Sequence, residues 1–151
     1  MFVFEAKIEY VPTLFQVSTD RLSEPGKVMD YMKDIMVQYP QQETFWVLVL
    51  NRRNNCLGRH LMTVGTASAC LVHPREVFRV ACLASASSIV ICHNHPSGDP
   101  SPSAADIQVT RQLREASRVL DIELLDHVII GDKTMDPAGR GFYSFRDSGL
   151  L

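Results

Sequence analysis

Apolar and polar positions alternate along the first ten residues. Phe2, Phe4, Ala6, Ile8 and Tyr10 fall on one side and Glu5, Lys7 and Glu9 on the other. A period of two is the signature of a half-buried strand. Residues 1–22 are therefore read as an N-terminal strand extension, and residues 23–151 as the domain proper. The period then changes. Val28, Met29, Met32, Ile35 and Met36 recur at helical spacing. Ser23 is placed to cap this helix, Pro25 suits its first turn, and Pro40 stops it.

From Thr44 to Leu50 the run TFWVLVL is rich in strand formers, and Asn51 to Asn55 is a turn sequence leading into Cys56–Val64. The pair predicts a hairpin. A short strand is expected over Ala67–Val72, followed by a helix that opens on Pro74 and carries Val77, Val80, Ala81 and Ala84. Ser88 to Cys92 is unbroken and mostly apolar, as expected of a strand covered on both faces. Three prolines and a glycine make His93 to Pro102 a loop, and the helical period resumes from Ser103 to Leu120. Leu124–Ile130 reads as a strand, residues 131–141 as a loop, and Phe142–Phe145 as a last short strand. Helices interspersed among strands in this order predict an α/β fold, a three-layer-like sandwich around a mixed sheet.

Composition narrows the class. The chain has 151 residues, 46% of them hydrophobic, enough for a core without disulfide or metal staples. Its longest apolar run, Phe45–Leu50, is far short of the roughly 20 residues that span a bilayer, so no membrane association is expected. Glu5, Lys7 and Glu9 follow Phe2-Val3-Phe4 too closely for a signal peptide, which makes the cytoplasm the expected compartment. The net charge is −2 and neither half has a basic excess, so DNA contact is expected to be weak at most. Arg111, Arg114 and Arg118 share one helix face with Glu115 and read as a solvated stripe. Cys56, Cys70, Cys82 and Cys92 form no C-x-x-C pair and read as reduced, largely buried thiols.

The chemistry concentrates after the central strand. His93 and His95, two residues apart at the end of an extended segment, project to the same side and can converge on one ion. On the following helix Val109, Leu113, Ala116 and Leu120 form the buried stripe, and Asp106 lies about 50° from its centre at 100° per residue. A carboxylate aimed near a core needs a cation or several donors. Two imidazoles and one carboxylate are three ligands, the number a catalytic zinc takes when it keeps a fourth position for water. Ser103-Ala104-Ala105-Asp106 also fits a capping box, which by itself would account for Ser103 and Asp106. It explains nothing about His93 and His95. His60 and His73 read as surface or capping residues, Asp99 as a turn residue near the site, and His127, mid-strand, as a satisfied structural histidine. Cys92 and His93 point to opposite faces of one strand, which excludes a Cys-His nucleophile pair. The H-x-E and P-C-x-x-C pattern of zinc deaminases is absent.

His93, His95, Ser103 and Asp106 reproduce the spacing of the signature H-x-H, seven residues, S, two residues, D. In this the segment resembles the JAMM (MPN+, JAB) metalloproteases. VHPREVFRVACLASASSIVICHNHPSGDPSPSAADIQVT, with LLDHVIIGD and FYSF, is similar to the RadC family, the bacterial branch of that fold. The resemblance covers residues 23–151 and implies a JAB/MPN domain of the cytidine-deaminase-like type. It further implies one Zn2+ per chain on His93, His95 and Asp106, and a water handled by an upstream glutamate, which matches Glu43. Ser103 would help to stabilise the oxyanion. Asn94 stands where the peptidases have Ser or Thr, and the chain contains no stretch like the helix-hairpin-helix segment of longer RadC proteins. Two functions follow: a zinc-dependent metallopeptidase or isopeptidase acting on a peptide or protein substrate, or a binding module for DNA or a protein complex with a non-catalytic metal site. The complete ligand set favours the first.

Overall fold

The computed structural model describes residues 2–13, 21–65 and 72–151. Its elements are helices α1 (Pro25–Met32), α2 (Ile35–Gln38), α3 (Pro74–Leu83) and α4 (Ala104–Leu120), and strands β1 (Glu43–Leu50), β2 (Cys56–Gly65), β3 (Ser88–Asn94), β4 (Glu123–Ile130) and β5 (Phe142–Ser144). The strands form one mixed sheet in the order β2-β1-β3-β4-β5, in which only β3 and β4 run parallel.

Alternation along the two central strands builds a core on each face. Phe45, Val47 and Val49 of β1 with Ile89 and Ile91 of β3 pack against Val77, Phe78 and Ala81 of α3 and Val109 and Leu113 of α4. Trp46, Leu48 and Leu50 with Val90 and Cys92 point the other way, onto Val28 and Met32 of α1 and Ile35 of α2. The result is the expected α/β/α sandwich. Every residue of β3 is buried, as its unbroken apolar run implies.

The hairpin turn between β1 and β2 uses its asparagines. Asn51 Oδ1 accepts from the Arg53 and Asn55 amides, and Asn54 takes the left-handed conformation at φ 59°. Pro74 opens α3 as anticipated.

Four expectations are corrected. Residues 2–13 form no strand, and Phe2, Val3 and Phe4 are exposed. Period-two alternation needs a partner edge to become a strand; here Ile8 to Thr13 line a cavity of about 370 Å³ with Leu57, Gly58 and His60 of β2 without forming a strand beside it. Glu24, not Ser23, is the residue capping α1, and its side chain makes no capping bond. The single helix foreseen up to Pro40 is two, interrupted at Lys33 and Asp34, because the Asp34 carboxylate turns inward to pair with Arg59 of β2. Cys82 is exposed and Cys56 half-buried; only Cys92 among the described cysteines is buried, and none of the three is in a disulfide. Cys70 and nearly all of the strand expected over Ala67–Val72 lie outside the described residues.

Candidate metal centre

The site forms where β3 runs out of the core. His93 is the last inward-facing residue of that strand and is 1% exposed. The chain then leaves the sheet in a turn closed by the Gly98 amide donating to the His95 carbonyl at 2.9 Å. Gly98 sits at φ +86°, and its carbonyl accepts from the Asp132 amide at 2.7 Å. A Cβ on Gly131 would stand 2.2 Å from that same carbonyl oxygen, so the pinning needs glycine at 131. Thus anchored to the end of β4, the loop aims His95 back at His93. Asp99 closes the arrangement with its backbone, not its side chain: His95 Nδ1 donates to the Asp99 carbonyl at 2.8 Å. A carbonyl can only accept, so Nδ1 carries the hydrogen and Nε2 is left for the site.

Asp106 arrives from the first turn of α4. The capping box forms, and it leaves the carboxylate free to face the histidines as well. Oδ2 accepts from the Ser103 amide and from the Ser103 hydroxyl, both at 2.7 Å, while the Asp106 amide donates to Ser103 Oγ at 3.1 Å, completing the capping box. Oδ1 points the other way and stands 3.3 Å from His93 Nε2. Capping therefore orients the carboxylate for the cluster.

Glu43 comes from the start of β1, with Oε1 3.9 Å from His93 Nε2. Its position is fixed by Asn94, which faces away from the cluster and is fully buried. The Asn94 Oδ1 accepts from the Thr44 amide at 2.8 Å and from the Thr44 hydroxyl at 2.5 Å, and its Nδ2 donates to the Gln42 carbonyl at 2.9 Å. These backbone groups flank Glu43 on either side. The middle residue of H-x-H thus grips the strand that presents the glutamate.

Glu43, His93, His95 and Asp106 offer four ligand atoms within 4.8 Å of one another, a group that could hold a metal ion. His93 and His95 Nε2 stand 3.1 Å apart, and Asp106 Oδ2 lies 3.7 Å from His95. Among the described residues the ion pairs of Glu43 and Asp106 run only to these histidines. Electron-rich atoms packed this closely without Lys or Arg between them are the surroundings a cation requires. The donor set, two imidazoles and a carboxylate with a second carboxylate facing them, suits zinc. Burial pushes His93 down to about 4, so the ring is neutral and available as a ligand. Burial would raise Asp106, but the neighbouring His95 and His93 rings and the Ser103 hydroxyl and amide outweigh it and hold the carboxyl well below the usual carboxylate range. Burial likewise raises Glu43, with the His95 charge opposing and the Asp106 charge reinforcing it. Glu43 and His95 form the open side; their side chains are 27% and 17% exposed, against 1% for His93 and 4% for Asp106.

Two residues of the site were not foreseen. His127 on β4 is satisfied, as read from the sequence, but by the site itself: its Nε2 stands 2.8 Å from His93 Nδ1, and its Nδ1 2.6 Å from Thr110 Oγ1. The parallel register pairing Ile91 with His127 brings it behind His93, and no sequence signal gives that register. Thr110 lies four residues after Asp106, on the same face of α4, a spacing that could have pointed to it. His60 and His73 are exposed and stand apart from the cluster, and Arg111, Arg114 and Arg118 line an exposed face of α4.

An α/β/α sandwich whose central strand ends in two converging histidines, met by a helix-start carboxylate and a glutamate at the start of β1, defines a class of domain with a group that could hold a metal ion. The chain belongs to the family of the RadC-like JAB domain, whose sequence model matches residues 22–150. It is 49% identical over 124 residues to a UPF0758 protein of Pelodictyon phaeoclathratiforme, covering 82% of this chain and 52% of that one. It is 39% identical over 132 residues to a UPF0758 protein of Thermotoga maritima, covering 87% of this chain and 55% of that one. A UPF0758 protein of Desulforamulus reducens is 42% identical over 126 residues, covering 83% and 50%. The chain spans about half the length of these curated relatives. Among the described residues no helix is long and apolar enough to cross a membrane.

Proposed function

We propose that this domain is a zinc-dependent hydrolase of peptide or isopeptide bonds. The observation that carries the reading is the convergence of His93, His95, Asp106 and Glu43 within 4.8 Å, with the Asp106 and Glu43 carboxylates at different depths. His93, His95 and Asp106 would hold one zinc per chain, which when bound supplies a Lewis acid and a water acidified to a pKa of about 7. Glu43 stands on the open side with its acidity weakened by burial, which suits a carboxylate that takes up a proton and hands it to a leaving amine. The Ser103 hydroxyl, now donating to Asp106, is a side-chain donor beside the cluster that would turn toward negative charge developing on a substrate carbonyl. The substrate we propose is an amide or isopeptide within a protein, reached from the side where Glu43 and His95 are exposed.

Glu43→Gln and Asp106→Asn separate the roles. Glu43→Gln keeps shape and loses the basic oxygen, so it retains zinc and folds normally while turnover falls by about 10²–10⁴-fold. Asp106→Asn loses a charged ligand and with it much of the metal. Zinc content and turnover on a panel of peptide and isopeptide substrates, measured on both variants beside the parent, test this. Undiminished turnover in Glu43→Gln would remove Glu43 from the mechanism, and lost zinc would make it a ligand.

A further inference from the structure

Behind His93, away from the cluster, a chain of hydrogen bonds runs from Thr110 through His127. Each histidine in it could carry its proton on either nitrogen, but the far end of the chain allows one arrangement. The Thr110 hydroxyl has a single hydrogen, and it is committed to the Asp106 carbonyl four residues back at 2.6 Å. Its oxygen can then only accept from the ring nitrogen 2.6 Å away, so His127 Nδ1 carries the hydrogen. In a neutral His127 this leaves Nε2 as an acceptor, and the donor to it at 2.8 Å must be His93 Nδ1–H. His93 Nε2 is left bare, facing His95 Nε2 and the Asp106 carboxylate.

Aromatic rings hold the planes in which these bonds form. Phe145 stacks on His127 with centroids 4.6 Å apart and planes 9° from parallel. Phe45 stacks on His93 at 5.9 Å and 13°. His127 is wholly buried, and the neighbouring Asp126 carboxylate is occupied elsewhere, by the Ser144 hydroxyl and the His127 and Arg146 amides.

We propose that Thr110 and His127 are positioning residues that fix the proton of His93 on Nδ1 and thereby turn its Nε2 lone pair into the metal cluster. The proton placement stands on hydrogen-bond direction alone; its consequence for metal affinity rests on the zinc reading above. Losing an outer hydrogen-bond partner of a metal-ligating histidine costs about 10–100-fold in metal affinity.

The test has a spectroscopic and a binding arm, both on the full chain. Long-range 1H–15N spectra of the metal-free protein, with its five histidines assigned from single variants, are expected to show His93 and His127 each protonated on Nδ1 and bare on Nε2. Thr110→Val removes the hydroxyl at nearly constant shape and is expected to disturb both ring signatures and to weaken zinc binding by about 10–100-fold, while Thr110→Ser restores both. His127→Gln, whose amide oxygen can still accept from His93, is expected to bind zinc more tightly than His127→Leu; this pair decides the matter should Thr110→Val fail to fold. A proton found on His93 Nε2 would overturn the proposal, and so would equal zinc affinity in His127→Gln and His127→Leu. If the parent shows the expected ring signatures yet takes up no zinc, the proton placement stands and the metal reading falls.

Discussion

The two faces of strand β3 end differently. Ile89, Ile91 and His93 look toward α4, and Val90, Cys92 and Asn94 toward α1 and α2. Both faces are closed to water and each ends on a buried polar side chain. Asn94 is satisfied entirely by the chain: its amide grips backbone groups on either side of Glu43. His93 is satisfied on one nitrogen only, by His127, and its other nitrogen meets carboxylates and a second imidazole. A polar group with all its partners inside the protein braces the fold, whereas one whose remaining neighbours are all electron-rich has a place left for a cation. Adjacent residues on one strand thus divide the work, one holding the glutamate and the other facing the cluster that could hold an ion.

Substitutions on the two faces should fail in different ways. The largest contrast is in zinc uptake: His95→Ala should lose it while melting near the parent temperature, since this ring lies on the open side of the cluster and belongs to neither hydrophobic core. Asn94→Leu should do the reverse, retaining zinc while losing stability. It strands the buried Thr44 amide and hydroxyl, at about 1–3 kcal/mol for each buried group left without a partner. Chemical denaturation and metal analysis of the two variants check both, and similar profiles would erase the distinction between the faces.

A smaller effect separates them by pH. In the metal-free chain the His93 face is the one that titrates. Its folded pKa lies at about 4 against 6.5 for the unfolded chain, and burial lowers His127 in the same direction. Between these values the unfolded chain binds protons that the folded chain refuses, so stability is full above about pH 6.5 and declines as the pH falls toward about 4. His95 opposes this; burial lowers it, but the Asp106 and Asp99 bonds and the carboxylate charges win and raise it. The two fully buried rings are expected to dominate. Denaturation midpoints that do not fall between about pH 7 and about pH 4.5 would contradict this. The smallest effect concerns the exposed stripe of Arg111, Arg114 and Arg118 on α4, where Glu115 lies 3.5 Å from Arg118. DNA binding there should be weak and should vanish with added salt, and specific nanomolar binding at physiological salt would make the arginine face a true interface.

The comparison also shows where sequence is legible. His93, His95, Ser103 and Asp106 could be read because residues close in the chain are tied by local rules, strand alternation and helix capping. The apolar run of β3 and the turn chemistry of residues 51–55 were readable for the same reason. Glu43 and Asn94 are 51 residues apart, and their linkage depends on β1 pairing antiparallel with β3, which no local pattern states. His127 was hidden by the same kind of long-range register. The opening alternation misled in the opposite sense, since Phe2 to Tyr10 has the pattern of a strand and no partner strand among the described residues.

The most direct test of the account is titration of zinc into the metal-free chain, beside a His93→Ala/His95→Ala variant, with bound metal quantified after gel filtration. The account predicts about one equivalent per chain in the parent and none retained in the double variant. Stoichiometric zinc retained by the double variant would place the metal elsewhere and contradict the assignment.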